Sequence, residues 1–365
     1  MGSTTRFGIT YPELSAAPDG PSQMQTMADT IEDALGTAVD DVAGLTAGRE
    51  DLIFNGIFRI NQEAASSYTA TAASGKYACD GWYIYSGTGA TNVMTPTAET
   101  AGTYADHDRY YMAWNRTVAG SADSYYEHRR EDVRSASGAN VTIAILADVA
   151  SGTADLKAEI VQNFGTGGSP STTVVTTSTA ITLSTSNTSQ YVTIAVPSIS
   201  GKTLGTNDDH YVSIRLTRES GYGTGTIRLH RVGVTLGTAQ VWPDKRPKQQ
   251  ELAIAQRFYY QWGPFGAGKY VSHATSLNTI AGYFVLRFPV TMRATPAVTF
   301  SANNDFSVQN SAGLVNTTGI AASNITAEFA MITATVAAGL TANGGCMVTN
   351  DQDTTNAAIY VNARL

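Results

Sequence analysis

From Leu52 onward the apolar residues of this chain alternate with polar ones at a period of two. Val141, Ile143 and Ile145 interleave with Thr142, Ala144 and Leu146, and Val212, Ile214 and Leu216 with Ser213, Arg215 and Thr217. Such runs describe strands with one face on a core and the other facing water. They recur at Lys76–Ser86, Arg109–Thr117, Asn140–Asp148, Lys157–Gln162, Gln190–Val196, His210–Arg218 and Thr224–Leu236, divided by clusters of Gly, Ser, Thr and Asn. Ile53, Phe54, Ile57, Phe58 and Ile60 predict a strand pair ahead of them. This many strands over residues 51–242 predict a two-sheet sandwich, a jelly roll.

The Pro- and Lys-rich stretch Val241–Gln250 marks a boundary, with 243–250 as the linker. A helical segment follows over Gln250–Phe258. Further strands are predicted at Tyr283–Phe288, Ala297–Ser301, Ile325–Val336, Gly345–Asn350 and Ala357–Ala363, so residues 251–365 read as a second, smaller sandwich.

The first fifty residues follow a different period. Met24, Ala28, Ile31, Leu35, Ala38, Val42 and Leu45 are spaced by alternating steps of four and three, the seam of a coiled coil. Asp29, Glu32, Asp33, Asp40 and Asp41 keep the other faces wet. Asp19-Gly20-Pro21-Ser22 suits a helix start, and Ala47-Gly48 suits its end, which places the helix within residues 21–50. A lone helix of roughly 33 Å is marginal in water. No second helix of this pattern exists in the chain, so other copies of it are the expected partners; the alternative is a helix folded back onto a later domain. Residues 1–20 read as an arm in which Phe7, Ile9, Tyr11 and Leu14 lie extended on a partner.

Charge separates the same segments. The net charge is −7, and residues 1–52 hold nine acidic and two basic side chains. That distribution argues against nucleic-acid binding through a basic patch and makes the first segment suited to a basic surface. Cys79 and Cys346 are too few for a disulfide framework and read as buried free thiols. No leader pattern opens the chain and no run approaches 18 apolar residues, which predicts a soluble chain with no membrane insertion.

Several stretches together resemble virion proteins of bacteriophages. Asn55-Gly56-Ile57-Phe58-Arg59-Ile60-Asn61-Gln62 with Asp80-Gly81-Trp82 is similar to the opening of carbohydrate-binding-module-like jelly rolls in phage fibres and spikes. Val232-Gly233-Val234-Thr235-Leu236-Gly237 resembles their closing strand. Glu251-Leu252-Ala253-Ile254-Ala255-Gln256-Arg257-Phe258-Tyr259-Tyr260 and Phe288-Pro289-Val290-Thr291-Met292-Arg293-Ala294-Thr295-Pro296 resemble the C-terminal domains of tail fibres, and Tyr11-Pro12 and Asp19-Gly20-Pro21 resemble virion-bound starts. The resemblance to tail-fibre or head-fibre proteins implies a homotrimer located in the virion. It also implies an arm docked on other phage proteins (capsid, portal, collar or tail) and heads that adhere to host surface glycans. The chain lacks a long fibrous shaft, which leaves open a tail, collar or head fibre, or a decoration that binds no glycan; a third alternative is a spike that cleaves polysaccharide.

Catalytic signals are weak. Gly263–Lys269 has the glycine and lysine spacing of a phosphate-cradling loop, but Tyr270 stands where Ser or Thr is required. Asp106-His107-Asp108, Asp208-Asp209-His210 and Asp351-Gln352-Asp353 offer oxygen ligands for a structural Ca²⁺, yet read first as solvated turns. Glu127, Glu131 and Asp132 are carboxylates that a glycosidase would need to face one another. The expectation is no enzyme, no catalytic residue, no metal and no cofactor, the Ca²⁺ aside. Aromatic residues lead further, because sugars lay C–H faces on exposed rings. Trp82 reads as core. Tyr83, Tyr85, Tyr125, Tyr126 and Tyr222 are the candidate glycan contacts, with Tyr125-Tyr126 expected in a polar loop.

Overall fold

The computed structural model describes residues 51–99, 110–244, 246–351 and 356–365, together with 2–3, 10–11, 29 and 31. Near the start, β1 (Gly2–Ser3) and β2 (Thr10–Tyr11) pair antiparallel, with Tyr11 opposite Gly2. Of the predicted seam only Ile31 is described; it is helical and 36% exposed. Met24, Ala28, Leu35, Ala38, Val42 and Leu45 lie outside the described residues, as do Phe7, Ile9 and Leu14 of the arm.

Twelve strands then build a β-sandwich. In chain order they are β3 (Tyr68–Thr71), β4 (Ser74–Tyr77), β5 (Trp82–Ser86), β6 (Thr91–Ala98), β7 (Tyr110–Val118), β8 (Ser124–Glu131), β9 (Asn140–Val149), β10 (Ala154–Asn163), β11 (Val174–Leu183), β12 (Thr188–Ala195), β13 (Tyr211–Arg218) and β14 (Gly225–Leu236). One six-stranded sheet has the order β11-β10-β13-β8-β5-β4, the other β12-β9-β14-β7-β6-β3. The chain crosses between the sheets repeatedly, so each strand's inward residues meet those of a distant part of the sequence. Trp82, Ile84, Trp114, Tyr126, Ile143, Ile145, Ile214 and Leu216 fill the space between them. The Trp82 and Tyr126 rings stack at 4.8 Å, and Phe58 packs 5.4 Å from Trp82. Their polar atoms are satisfied: Trp82 Nε1 donates to Asn55 O, Tyr126 Oη to Ala78 O and Trp114 Nε1 to Asn92 Oδ1. A buried ring with an unmet donor would lose much of what its area gains.

The apolar run Ile53–Ile60 forms no strand pair. Asn55 and Phe58 both have φ of 55°, and left-handed residues interrupt a pleat. The segment lies instead along the second half of β14, beyond the residues that β7 pairs with: Leu52 N donates to Val234 O and Val232 N to Gly56 O. The fully buried Asn55 side chain fixes this loop by donating to the Ile60 and Asp80 carbonyls and accepting from Ile60 N. Gly56 is required by close approach, since a Cβ there would stand 2.0 Å from Val232 O.

After the sandwich, α1 (Lys248–Gln256) begins within the last residues of the predicted linker, and β15 (Tyr259–Trp262) follows. Next come β16 (Tyr270–Ser276), β17 (Ala281–Arg287), β18 (Ala297–Phe300), β19 (Phe306–Asn310), β20 (Gly313–Ser323), β21 (Phe329–Val336), β22 (Gly344–Asn350) and β23 (Ile359–Asn362). These do not make a second sandwich. β16 pairs with both β17 and β22, so β16-β17-β21-β20-β19-β22 closes into a barrel, and β15-β23-β18 forms a separate three-stranded sheet. Closure removes the free edges that an open pair of short sheets would leave. Phe284, Phe306, Val308, Ile332, Val348 and Ile359 belong to one continuous core shared by barrel and sheet. Both cysteines are buried free thiols.

The C-terminal unit meets the sandwich along a continuous seam. Glu251 of α1 pairs with Arg59 Nε at 2.8 Å and accepts from Asn55 N, while Ala255 packs with Phe54 and Ile60. Farther along it, Gln62 Nε2 donates to Tyr259 O, Arg364 pairs with Glu63 at 2.8 Å, and the Leu365 carbonyl accepts from Tyr77 Oη and Arg129. No helix among the described residues is long and apolar enough to cross a membrane.

Candidate functional site

The outward face of the β11-β10-β13-β8-β5-β4 sheet gathers the tyrosines. Period-2 alternation on β5 sends Trp82 and Ile84 into the core and Tyr83 and Tyr85 outward. On β8 it sends Tyr126 and His128 inward, and Tyr125, Glu127 and Arg129 outward. Register does the rest: Tyr85 stands opposite Tyr125, and Tyr83 opposite Glu127, which faces Arg215 on β13. The Tyr85 and Tyr125 rings stack at 4.9 Å with 16° between their planes. Tyr77 and Tyr83 meet edge to face at 5.2 Å.

Cations and one carboxylate hold these rings. Arg215 lies 4.1 Å from the centroid of Tyr125, and Arg129 lies 4.8 Å from Tyr83 and 5.0 Å from Tyr211. Glu127, fully buried beneath them, accepts from Ser213 Oγ, from Arg215 Nε at 2.9 Å and from Arg129 Nε at 3.0 Å. Burial opposes the charge on Arg129, but Glu127, Tyr211 and Tyr77 hold its pKa above the ordinary arginine value. Burial likewise pushes the Tyr125 hydroxyl up to about 12, against the pull of Arg215. At neutral pH the face thus carries two fixed guanidiniums, one carboxylate and neutral phenols, a surface able to stack on a pyranose ring and orient its hydroxyls.

Four of the five sequence-predicted tyrosines lie on or beside this face. Tyr83, Tyr85 and Tyr125 form its centre, and Tyr222 flanks it, donating to Asp155 Oδ2 of β10 at 2.6 Å. Tyr126 does not belong. It is 0% exposed and part of the core, because the stretch expected as a polar loop is β8, paired on both sides. Sequence reasoning missed Tyr77, Tyr211, Arg129 and Arg215 as members of the face. The spacing of Glu127 and Arg129 at i, i+2 was the available signal, since such residues share one side of a strand.

Other sequence candidates are committed elsewhere. Arg257 pairs with Glu131, and Asp132 Oδ1 accepts from Arg134 N, so these carboxylates serve structure. Gly263–Lys269 runs into β16 with no helix after it, which leaves no helix N-terminus for a phosphate. Asp209 accepts from Thr166 N and Oγ1. Asp106, His107, Asp108, Gln352 and Asp353 lie outside the described residues. Among the described residues no three His, Cys, Asp or Glu side chains group to hold a metal.

No protein-family model matches the chain, and no curated protein matches it either. Solved structures to which the chain is similar include a family 11 carbohydrate-binding module from Clostridium thermocellum in complex with a β-1,3-1,4-mixed-linked tetrasaccharide. It is 14% identical, with a TM-score of 0.28 over 48% of this chain and 100% of that one. The CBM22-2 xylan-binding domain from Paenibacillus barcinonensis Xyn10C is 12% identical, with a TM-score of 0.31 over 47% of this chain and 99% of that one. The enzymatically active domain of tailspike protein 4 from bacteriophage CBA120 is 14% identical, with a TM-score of 0.30 over 51% of this chain and 21% of that one. At such identities and scores the likeness does not say what this chain binds.

Proposed function

We propose that this chain is a non-enzymatic, homotrimeric component of a phage particle, a tail, collar or head fibre whose sandwich adheres to host surface glycans. The observation that carries the adhesive part is the Tyr85–Tyr125 stack beside Tyr83, flanked by Arg129, Arg215 and Glu127 on a single sheet face. Rings supply apolar contact, and the charged groups supply orientation. Each such contact is weak, and three copies on one stem would act together through avidity. The virion location and the docking arm rest on the sequence resemblance. The number three rests on it as well, and the association of copies on the seam pattern, of which Ile31 presents an exposed aliphatic side chain on a helix.

The test is retention of the full chain on a glycan array and on host cells, wild type beside Tyr85→Ala and Tyr125→Ala. Retention that falls in both variants supports the reading; retention unchanged in both overturns it. Light scattering of wild type and Leu35→Asp tests the assembly, and equal sizes would overturn the seam. One observation favours a second reading, a purely structural fibre: Arg215 already lies over the Tyr125 ring and Arg129 over Tyr83. No retention at any valency would establish that reading in place of the first.

A further inference from the structure

A cavity of about 420 Å³ opens where the end of β8 meets the Leu52–Phe54 segment and α1. Arg129, Arg130, Arg246 and Arg257 contribute to its lining against a single acidic residue, Glu131, and the head group of Arg129 lies out on the tyrosine face. Glu131 is taken by Arg257, and Arg129 is taken by Glu127 outside the cavity. Arg130 and Arg246 have no carboxylate hydrogen-bonded to them among the described residues. Arg130 Nη1 donates to Leu52 O at 2.9 Å, and Arg246 donates to the carbonyls of Ile53 and Asp51.

His128 also lines the cavity and is 2% exposed. Its Nε2 accepts from Phe54 N at 3.4 Å, which assigns the proton to Nδ1, and Nδ1 is buried without a hydrogen-bond partner. That atom is closed off from the cavity. The donors a ligand can meet there are those of Arg130 and Arg246, both hydrogen-bonded to neutral carbonyls, with the buried Asp51 carboxyl near Arg246 on the side away from the lining. The remaining wall is apolar: Ile53, Phe54, Ile254 and Phe258. A volume in the range of small-molecule sites, one apolar wall and an excess of fixed positive charge suit a ring with an apolar face and one acidic group.

We propose that this cavity binds an acidic sugar of the hexuronate class, its carboxylate held by Arg130 and Arg246 and its ring laid against Phe54 and Phe258. The site stands on its own residues and does not depend on the tyrosine face.

The test is calorimetric titration of the full chain with sodium glucuronate, with glucose as the uncharged counterpart and inorganic phosphate as competitor. Saturable binding of glucuronate, none of glucose, and displacement by phosphate are expected. Gln250→Glu adds a carboxylate to the lining at an exposed position in the first turn of α1, where an acidic residue suits the helix. It breaks no hydrogen bond of the site and should weaken glucuronate about five-fold or more. Arg130→Gln should abolish binding, and Tyr125→Ala should leave it unchanged. Equal binding of glucose, no saturable binding of glucuronate, or indifference to Gln250→Glu would overturn the assignment. A loss in Tyr125→Ala with Gln250→Glu unaffected would place the ligand on the sheet face and equally overturn it.

Discussion

The Arg215 guanidinium sits 4.1 Å from the centroid of the Tyr125 ring while its Nε reaches the buried carboxylate of Glu127. One side chain therefore fixes both the ring and the charge beneath it. Tyr125→Ala should lower glycan retention about ten-fold, the size of ~1.4 kcal/mol, whereas Tyr222→Phe at the flank should change it little. Affinity electrophoresis through host polysaccharide reads both; an unchanged Tyr125→Ala mobility shift would remove Tyr125 from the contact surface.

Glu127 is the electrostatic keystone of that face. Replacing it by Ala leaves Arg129 and Arg215 side by side without their common counter-ion, and one-sided removal from a buried pair costs about 3–5 kcal/mol. Both arginines keep some exposure, so the lower end is expected. Urea denaturation should show it as a lower midpoint, with Glu127→Gln intermediate because an amide oxygen still accepts from Ser213. A change below about 1 kcal/mol would mean the cluster behaves like a surface pair.

Stability should also depend on Asp51. Burial pushes its carboxyl up to about 7, while Val234 N, Ile53 N, Arg246 and Arg231 pull it down. The folded chain then holds a proton that the unfolded chain has released from about pH 4 upward. This group's contribution falls as pH rises from about 4 to about 7 and is fully lost above that. Asp51→Asn keeps an acceptor for Ile53 N and Val234 N and removes the titration. The variant should gain on wild type as pH rises, by a few kcal/mol at most at pH 8. His128, lowered by burial to about 3, acts oppositely, weakening the fold as pH drops from about 6.5. Thermal melts of both proteins between pH 4 and 8 decide the matter: parallel curves would exonerate Asp51.

Gly56→Ala probes the loop that replaces the expected strand pair. The new Cβ would meet a backbone oxygen, and backbone cannot step aside as a side-chain tip can. A loss of about 2 kcal/mol or more is expected, read as a fall in melting temperature. Gly221→Ala, with nothing within 4 Å of its Cβ, is the matched control.

Much of the sandwich was legible because alternation and turn residues are local. Tyr83 and Tyr85 were legible for the same reason. Tyr125 and Tyr126 were not separable, since SYYEHRRE has the polarity of a loop and becomes a strand only through its pairing with β5 and β13. The two arginines that cover Glu127 come from its own strand and from one that lies over 80 residues later, and that register is not written in either segment. Barrel closure was hidden likewise, because it rests on β16 meeting β22 across a long stretch of chain. The loop at Ile53–Ile60 looked like strand because its apolar residues plug the junction.

A body hung from a single stalk can swivel in every direction, while one seated along a broad seam cannot. The Arg59–Glu251, Arg257–Glu131 and Arg364–Glu63 pairs are distributed along such a seam. Tension on the barrel would therefore pass into the sandwich as torque shared among them rather than as swing at a joint.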